Sequence, residues 1–200
     1  MALSSVTPEY NEADFSHCPS DIEMQMTATG DRHRLLTARI LVPAAVERVW
    51  QTLTDYEHLA DFIPNLSESR RIYHPDGGIR LEQIGSQSLL KFKFCARVVL
   101  DMIEHFPHQL NFEMVEGDFR TFKGCWQLQP ADSDTNGTKA NSTKANSAKA
   151  NNTKASQKGT YLIYQLTVCP SRVVPVRLIE QRLGNNLCEN LVAIRDRAIA

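Results

Sequence analysis

Apolar and polar residues alternate along most of the chain after residue 33, which is the spacing of strands that bury one face. Short breaks containing glycine, proline and aspartate separate the alternating runs, and such breaks form the tight turns of hairpins. Because the turns are short, we expect consecutive strands to pair in one antiparallel sheet. The pattern predicts strands at residues 34–42, 66–74, 79–87, 89–105, 109–117, 119–130 and 159–169.

The spacing of the apolar residues changes to that of a helix in two places. After Pro43 they recur every three or four residues, which predicts a short amphipathic helix and then a second one that ends at Pro64. A long helix is predicted from about residue 174 to residue 199, with a length of roughly 39 Å at 1.5 Å per residue. A helix of that length can cross a whole sheet.

Two segments show neither spacing. Residues 1–32 are polar and aperiodic, so we expect a flexible N-terminal tail there. Residues 131–158 repeat the pentapeptide Thr-Lys-Ala-Asn-Ser with almost no apolar content, which predicts a low-complexity insertion between two strands. The remaining chain, residues 33–200, is predicted to form one domain around this insertion.

The alternation also predicts which side chains face the interior, because successive residues of a strand point to opposite faces. The inward positions form a wall that is rich in aromatic rings, opposite the apolar stripe of the long helix. Periodicity alone leaves two interpretations open, a tightly packed core or the lining of a cavity. The predicted lining consists of Phe92, Phe94, Val98, Phe112, Met114, Phe122, Trp126 and Tyr164 from the strands and Ile179, Leu183 and Leu187 from the helix.

A few further positions would complete such a cavity. Asn186 and Asn190 lie one helical turn apart beside the apolar stripe, and either amide can hydrogen-bond a carbonyl or hydroxyl group. The alternative for both asparagines is a surface or helix-packing role. Leu59, Phe62 and Ile63 on the second short helix are expected at the cavity mouth. The sequence leaves open whether this mouth makes a transient contact with a membrane.

Composition and charge narrow the class of partner. The chain carries 22 basic and 23 acidic residues, and this balance argues against nucleic acid as a partner. No run of about 18 apolar residues occurs, which predicts no membrane-spanning helix. The start of the chain lacks the basic and apolar regions of a secretory signal, so we expect a cytoplasmic protein.

The five cysteines have neither the spacing of metal ligands nor that of a disulfide framework. We expect small, mostly buried thiols in a reducing compartment, with no metal site and no cofactor.

Candidate catalytic residues are few. A cyclase or dehydratase needs an acid or base within hydrogen-bond reach of the reacting atom. His58 and Glu57 lie near the expected mouth, and His105 and His108 flank a turn. None of the four pairs with a second catalytic residue type at an informative spacing, and no established catalytic motif is present. We therefore expect no catalytic residues.

Three segments resemble the START-like, polyketide cyclase/dehydrase (SRPBCC) superfamily. Residues 42–64 are similar to its strand exit, helix pair and terminal proline. Residues 118–130 resemble its penultimate strand, which carries a tryptophan near the end, and the third segment is the last strand with the long helix that begins near Pro175. Within the superfamily the chain looks most like the Coq10-type, coenzyme Q-binding branch.

The resemblance implies an α+β, helix-grip (START/Bet v 1-like) fold, in which a seven-stranded antiparallel sheet wraps around a long C-terminal helix. It also favours the cavity over the tightly packed core. The implied function is non-enzymatic binding, carriage or chaperoning of a polyprenyl quinone, an isoprenoid or another lipid. A polyketide-type cyclase or dehydratase and a protein-interaction module remain as alternatives, and the oligomeric state is left open.

Overall fold

The computed structural model describes residues 18–89, 92–131, 159–171 and 176–200. Within these ranges, the side chains of residues 87–89, 92–94, 176–179 and 181 are outside the description. The part of the predicted tail before residue 18 and almost all of the predicted insertion therefore lie outside the described residues.

The described chain forms one antiparallel sheet in which all seven predicted strands are present. The strands are β1 Ile22–Ala28, β2 Arg34–Val42, β3 Leu66–Ile72, β4 Ile79–Leu89, β5 Phe92–His105, β6 Gln109–Gly117, β7 Phe119–Pro130 and β8 Thr160–Pro170. Their order in the sheet is β1-β2-β8-β7-β6-β5-β4-β3. Strands β3 to β8 thus form a meander, and β8 then pairs with β2.

Two helices lie on one face of this sheet. Helix α1 spans Val46–Thr54 and buries the predicted apolar stripe, whereas the second predicted short helix is a single 3₁₀ turn at Leu59–Asp61. Helix α2, Val176–Ile199, packs against α1, β1 and β2. The predicted helix-grip fold is thereby confirmed. No helix in the described part of the chain has both the length and the apolar character needed to cross a membrane.

The described sheet has eight strands where seven were predicted. The additional strand, β1, lies within residues 1–32 and pairs with β2, so that Ile22 is opposite Ile40. Ile22 and Met26 are buried and Met24 is half-buried, so β1 extends the core beneath α2. The seven-strand count was wrong because this short apolar alternation is surrounded by polar residues and turn signals.

The cysteines also depart from the expectation. Cys18 and Cys188 form a disulfide with their Cα atoms 5.6 Å apart, which joins the segment before β1 to α2. Of the three free cysteines, Cys169 is buried, Cys125 is half-buried and Cys95 is exposed. The prediction of free thiols was wrong for the bonded pair, because only the fold brings together residues 170 positions apart.

The most tightly packed part of the core lies where β2 and β8 face the helices. On β2, the inward residues Leu36, Ala38, Ile40 and Val42 are at most 1% exposed. The inward residues of β8 lie opposite them in register, and α2 packs against β2.

Candidate ligand-binding cavity

A cavity of about 270 Å³ lies between the inner face of the sheet and α2. Its lining comes from β2 to β8, from α1 and the 3₁₀ turn, and from the middle of α2. Pro64 and Asn65, in the loop before β3, line the cavity and are also exposed, so the cavity opens to solvent beside this loop. The helices pack mainly on β1, β2 and β7, which leaves the inner faces of β4, β5 and β6 free to border the cavity.

One side of the cavity is an aromatic wall, which we define as Phe112, Phe119, Phe122, Trp126 and Tyr164. The ring of Tyr164 is stacked on Phe112 at 5.8 Å between centroids and contacts Trp126 at 4.2 Å. Phe122 lies between Phe112 and Phe119, at 5.8 and 5.3 Å from their ring centroids. The wall is therefore one continuous set of ring contacts across β6, β7 and β8.

A glycine makes room for this wall. Gly124 on β7 is the register partner of Phe112 on β6, on the inner face of the sheet. A Cβ atom at Gly124 would lie 2.8 Å from Cζ of Phe112 and would also overlap the carbonyl oxygen of Gln165. The absence of a side chain at Gly124 thus lets the Phe112 ring lie close against the neighbouring strand.

The lining also carries amide side chains, which belong to Asn65, Gln83, Asn186 and Asn190. The Asn65 side-chain amide donates a hydrogen bond to Glu189 over 2.9 Å, and the Gln83 amide donates to Ser69 Oγ over 3.2 Å. When the Asn190 side-chain amide is oriented so that its nitrogen can donate a hydrogen bond, this nitrogen lies 3.1 Å from the carbonyl oxygen of Asn186. The bond from Asn65 to Glu189, together with a contact of 3.3 Å between the Asn190 amide nitrogen and the Pro64 carbonyl oxygen, holds the loop before β3 against α2.

Tyr56 and Tyr164 are the titratable side chains of the described lining. The Tyr56 hydroxyl donates a hydrogen bond to Glu104 over 2.6 Å, and burial, followed by this bond, raises the pKa of Tyr56. Burial also raises the pKa of Tyr164. Both hydroxyls are therefore protonated at neutral pH.

The structure brings most of the predicted site residues to this cavity. Among the described residues that line it are Val98, Phe112, Phe122, Trp126, Tyr164, Leu183, Leu187, Asn186, Asn190, Leu59 and Ile63. Met114 instead packs against the core beside Gly117. Phe62 lies in a separate shallow groove with Cys188 and Arg197. The side chains of Phe92, Phe94 and Ile179 are outside the described part of the structure.

Several lining residues were not predicted from the sequence. Phe119 shares the inner face with Phe122 although the two are three positions apart, an offset that normally places side chains on opposite faces of a strand, because a β-bulge between Phe119 and Thr121 shifts the alternation. Gln83 faces inward, on the same side of β4 as the fully buried Leu81 two positions before it. The polar residues around Gln83 do not reveal this direction. Tyr56 and Asn65 come from loops, where periodicity carries no information.

The residues considered for acid–base chemistry lie elsewhere. Glu57, His58, His105 and His108 are not among the described residues that line the cavity. His58 is exposed and contacts Asp55 at 2.7 Å, and this hydrogen bond raises the pKa of the histidine. Among the described residues, no group of three or more His, Cys, Asp and Glu side chains is arranged to hold a metal ion.

Comparison with solved structures shows what this fold is similar to. A STAR-related lipid transfer protein (fragment 25-204) from Xanthomonas axonopodis matches with a TM-score of 0.63 at 15% identity, over 91% of this chain and 96% of that one. Human STARD10 matches with a TM-score of 0.62 at 8% identity, over 90% of this chain and 70% of that one. The Zhui aromatase/cyclase from Streptomyces sp. R1128 matches with a TM-score of 0.60 at 13% identity, over 84% and 94%. At these identities the likeness concerns the fold alone.

Comparison with curated proteins finds no match to this sequence. The family model described as "Polyketide cyclase / dehydrase and lipid transport" matches residues 42–193, which include the strands from β3 to β8, helix α1, most of α2 and most of the cavity lining. The chain therefore belongs to this polyketide cyclase/dehydrase and lipid transport family.

Proposed function

We propose that the chain binds a hydrophobic small molecule in the cavity and carries it without changing it chemically. The observation that carries this proposal is the cavity of about 270 Å³, bordered on one side by the aromatic wall and on another by α2. A mostly apolar concavity with a few placed polar groups is the usual form of a small-molecule site. Membership of a family that includes lipid transport proteins supports the same class of ligand.

The protonation of the lining groups favours carriage over catalysis. The raised pKa values of Tyr56 and Tyr164 keep both hydroxyls protonated, so neither is a base at neutral pH, and Tyr56 already donates its proton to Glu104. A polyketide-type cyclase or dehydratase is the second candidate, and the fold shared with the Zhui aromatase/cyclase favours it. An enzyme with this described lining would have to use the tyrosine hydroxyls as acids. The third candidate is a protein-interaction module, and this function would not explain why the cavity is present.

The size of the cavity bears on the ligand. An engineered cavity of about 150 Å³ holds benzene, so about 270 Å³ accommodates a group of one or two rings. For a polyprenyl quinone, the ligand of the Coq10-type branch, we propose that the quinone ring lies inside and that the isoprenoid tail extends through the opening. Other isoprenoids and lipids with a compact end fit the same space.

A transient contact with a membrane is the delivery step of this proposal. Ile63 lines the cavity and Phe62 is half-buried next to it, so apolar side chains lie beside the opening. Co-sedimentation with neutral phosphatidylcholine vesicles tests the contact. The Phe62→Ser variant is expected to sediment less than the unaltered chain while binding the ligand equally well, and equal sedimentation of both proteins would contradict the delivery step.

The oxidation state of the cysteines in the cell tests in which cellular compartment the protein is located. A cytoplasmic location remains part of the proposal, and the Cys18–Cys188 disulfide weighs against it because disulfides persist mainly in oxidising compartments. Alkylation of the thiols at the moment of cell lysis, followed by mass spectrometry, distinguishes the two. Modification of all five cysteines supports the cytoplasm, whereas modification of Cys95, Cys125 and Cys169 alone contradicts it.

The binding function itself is tested by extracting the purified protein with organic solvent and identifying the released compounds by mass spectrometry. We expect a hydrophobic compound in stoichiometric amount, unchanged in mass after prolonged incubation with the protein. The Phe122→Ala variant, altered in the aromatic wall, is expected to lose most of it. Phe106→Ala is the matched control, because Phe106 is 67% exposed and lies outside the described lining.

Two results would contradict the binding function. One is an extract without such a compound from protein that also fails to rebind added quinones, isoprenoids and lipids. The other is equal loss of the compound in the Phe122→Ala and Phe106→Ala variants. Conversion of the bound compound to a product would instead support the cyclase or dehydratase.

A further inference from the structure

Tyr164 is the polar group that lies deepest in the aromatic wall. It projects inward from β8 between the rings of Phe112 and Trp126, and its side chain is only 8% exposed. No described residue forms a hydrogen bond with its hydroxyl, and the hydroxyl is not one of the polar atoms that are sealed off without a partner. The oxygen therefore borders open cavity space.

The other polar side chains of the described lining differ from Tyr164. Asn65, Gln83 and Asn190 use their amides in the contacts with Glu189, Ser69 and the Asn186 carbonyl group described above. The Asn186 side chain is half-buried near the opening, where solvent can reach it. Tyr56, the other buried tyrosine of the lining, already donates its hydroxyl proton to Glu104. Tyr164 is thus the deeply buried group of the described lining whose hydroxyl proton is left for a cavity occupant.

Every described side chain of the lining is uncharged. A carboxylate or phosphate placed against the aromatic wall would lose its hydration without gaining a cationic partner, which is far more costly than burying a hydroxyl or carbonyl group that is hydrogen-bonded. A purely apolar occupant would displace water from Tyr164 and leave its hydroxyl unpaired, which also costs free energy.

We infer that the cavity selects a neutral ligand bearing a hydroxyl or carbonyl oxygen, and that this oxygen forms a hydrogen bond with the Tyr164 hydroxyl. The inference rests on the proposed function, because it specifies the ligand chemistry of the same cavity. A fatty acid or another anion is accepted only when its charged end remains in solvent at the opening.

Three probes with the same two-ring skeleton test this selection. Naphthalene has no oxygen, 2-naphthol has a neutral hydroxyl, and 2-naphthoate is charged at neutral pH. Equilibrium dialysis gives the dissociation constant of each probe for the unaltered chain, for Tyr164→Phe and for the control Tyr161→Phe. Tyr161 lies on the same strand but stacks under Arg39 outside the described lining, so its hydroxyl is a matched group away from the site.

We expect Tyr164→Phe to weaken 2-naphthol by about threefold to tenfold, the range for one lost hydrogen bond, and to leave naphthalene as tight as before or tighter. Tyr161→Phe is expected to change neither. In the unaltered chain, 2-naphthoate should bind at least about tenfold more weakly than 2-naphthol, because its charge has no partner in the described lining. The ratio of the two neutral probes cancels differences in packing between the variants.

The failure of this inference can be distinguished from the failure of the proposed function. If the probes bind but Tyr164→Phe weakens naphthalene and 2-naphthol equally, Tyr164 acts by packing and the inference is overturned, while binding in the cavity stands. Equally tight binding of 2-naphthoate and 2-naphthol overturns it as well. If none of the three probes binds the unaltered chain, the proposed function and the inference fail together.

Discussion

Strands β2 and β7 both flank β8 and both direct alternate apolar side chains at the interior, yet their inner faces have different surroundings. On β2 the inward side chains of Leu36, Ala38, Ile40 and Val42 are at most 1% exposed, and of these four Leu36 alone borders the cavity. On β7 the inward rings of Phe119, Phe122 and Trp126 are only half-buried, because the cavity lies in front of them. The same alternation in sequence thus corresponds to packed core in one strand and to a binding surface in the other.

The difference is set by the helices. Helix α2 packs against β2, while the contacts of β7 with helices come mainly from α1. Leu128 near the end of β7 is 1% exposed, whereas the rings that precede it on the inner face are half-buried and border the cavity. Alternation in a strand therefore predicts the direction of a side chain, whereas the position of the covering helix decides whether that direction leads to core or cavity.

The largest expected effect comes from replacing a leucine by alanine, once in the packed core at β2 and β8 and once in the cavity lining. Leu162→Ala removes a fully buried side chain opposite Ile40, and we expect it to lower the free energy of unfolding by about 2–5 kcal/mol. Leu183→Ala, in the half-buried lining, should cost about 1 kcal/mol. Denaturant unfolding of the two variants measures both. Equal losses would show that the cavity side is packed as tightly as the β2 side.

The disulfide strengthens the packed side, because it ties the segment before β1 to the part of α2 that lies over the core. Cys18→Ser is expected to lower the free energy of unfolding by about 2–4 kcal/mol, mainly by freeing the unfolded chain. Thermal unfolding with and without reductant measures it, with the exposed free thiol variant Cys95→Ser as control. If reductant destabilises Cys18→Ser as much as the unaltered chain, the stabilisation does not come from this bond.

Several features escaped prediction because each depends on contacts between distant parts of the chain. The alternation at residues 109–117 and 119–130 placed Phe112, Phe122 and Trp126 correctly on the inner face, because strand geometry is local. The bulge that turns Phe119 inward arises in the pairing of β7 with β8. The bond between Cys18 and Cys188 and the uncovered part of β7 likewise follow from where α2 lies. The alternation of Ile22, Met24 and Met26 in β1 was a local signal, which the polar surroundings obscured.

A change at Gly124 tests how strongly the cavity side depends on close ring packing. In the Gly124→Ala variant the new Cβ meets the Phe112 ring and the backbone of β8, so we expect a loss of about 1–3 kcal/mol in the free energy of unfolding. We also expect weaker binding of 2-naphthol, because Phe112 must leave its position against Tyr164. Combining Gly124→Ala with Phe112→Leu relieves only the contact with the ring, so we expect it to restore a small part of the stability and none of the binding, because the overlap with the Gln165 carbonyl oxygen remains. Recovery of both would mean that the aromatic wall does not form the site.

The smallest expected effect is a flat pH profile of ligand binding. The titratable groups of the described lining are Tyr56 and Tyr164, and burial raises the pKa of both above the usual value, so neither changes protonation near neutral pH. Between about pH 6 and pH 9, below the ordinary tyrosine pKa of about 10, the affinity for 2-acetylnaphthalene, whose ketone does not ionise, should stay within about twofold. Equilibrium dialysis across this range measures it.

Unlike the tyrosines of the lining, charged side chains outside the cavity titrate at acidic pH and make the stability depend on pH. The hydrogen bond from Arg80 lowers the pKa of Asp101 in the folded chain, so its contribution to stability is present above the ordinary carboxyl pKa and is lost as the pH falls through the lowered value. This loss of stability occurs at an acidic pH, well below the pH range of the binding experiment. Acid unfolding therefore does not interfere with the binding measurement. A change in affinity with a midpoint near neutral pH would instead indicate a histidine or a carboxylate facing the ligand. Such a group is what a cyclase or dehydratase requires, so this result would favour the enzyme over the carrier.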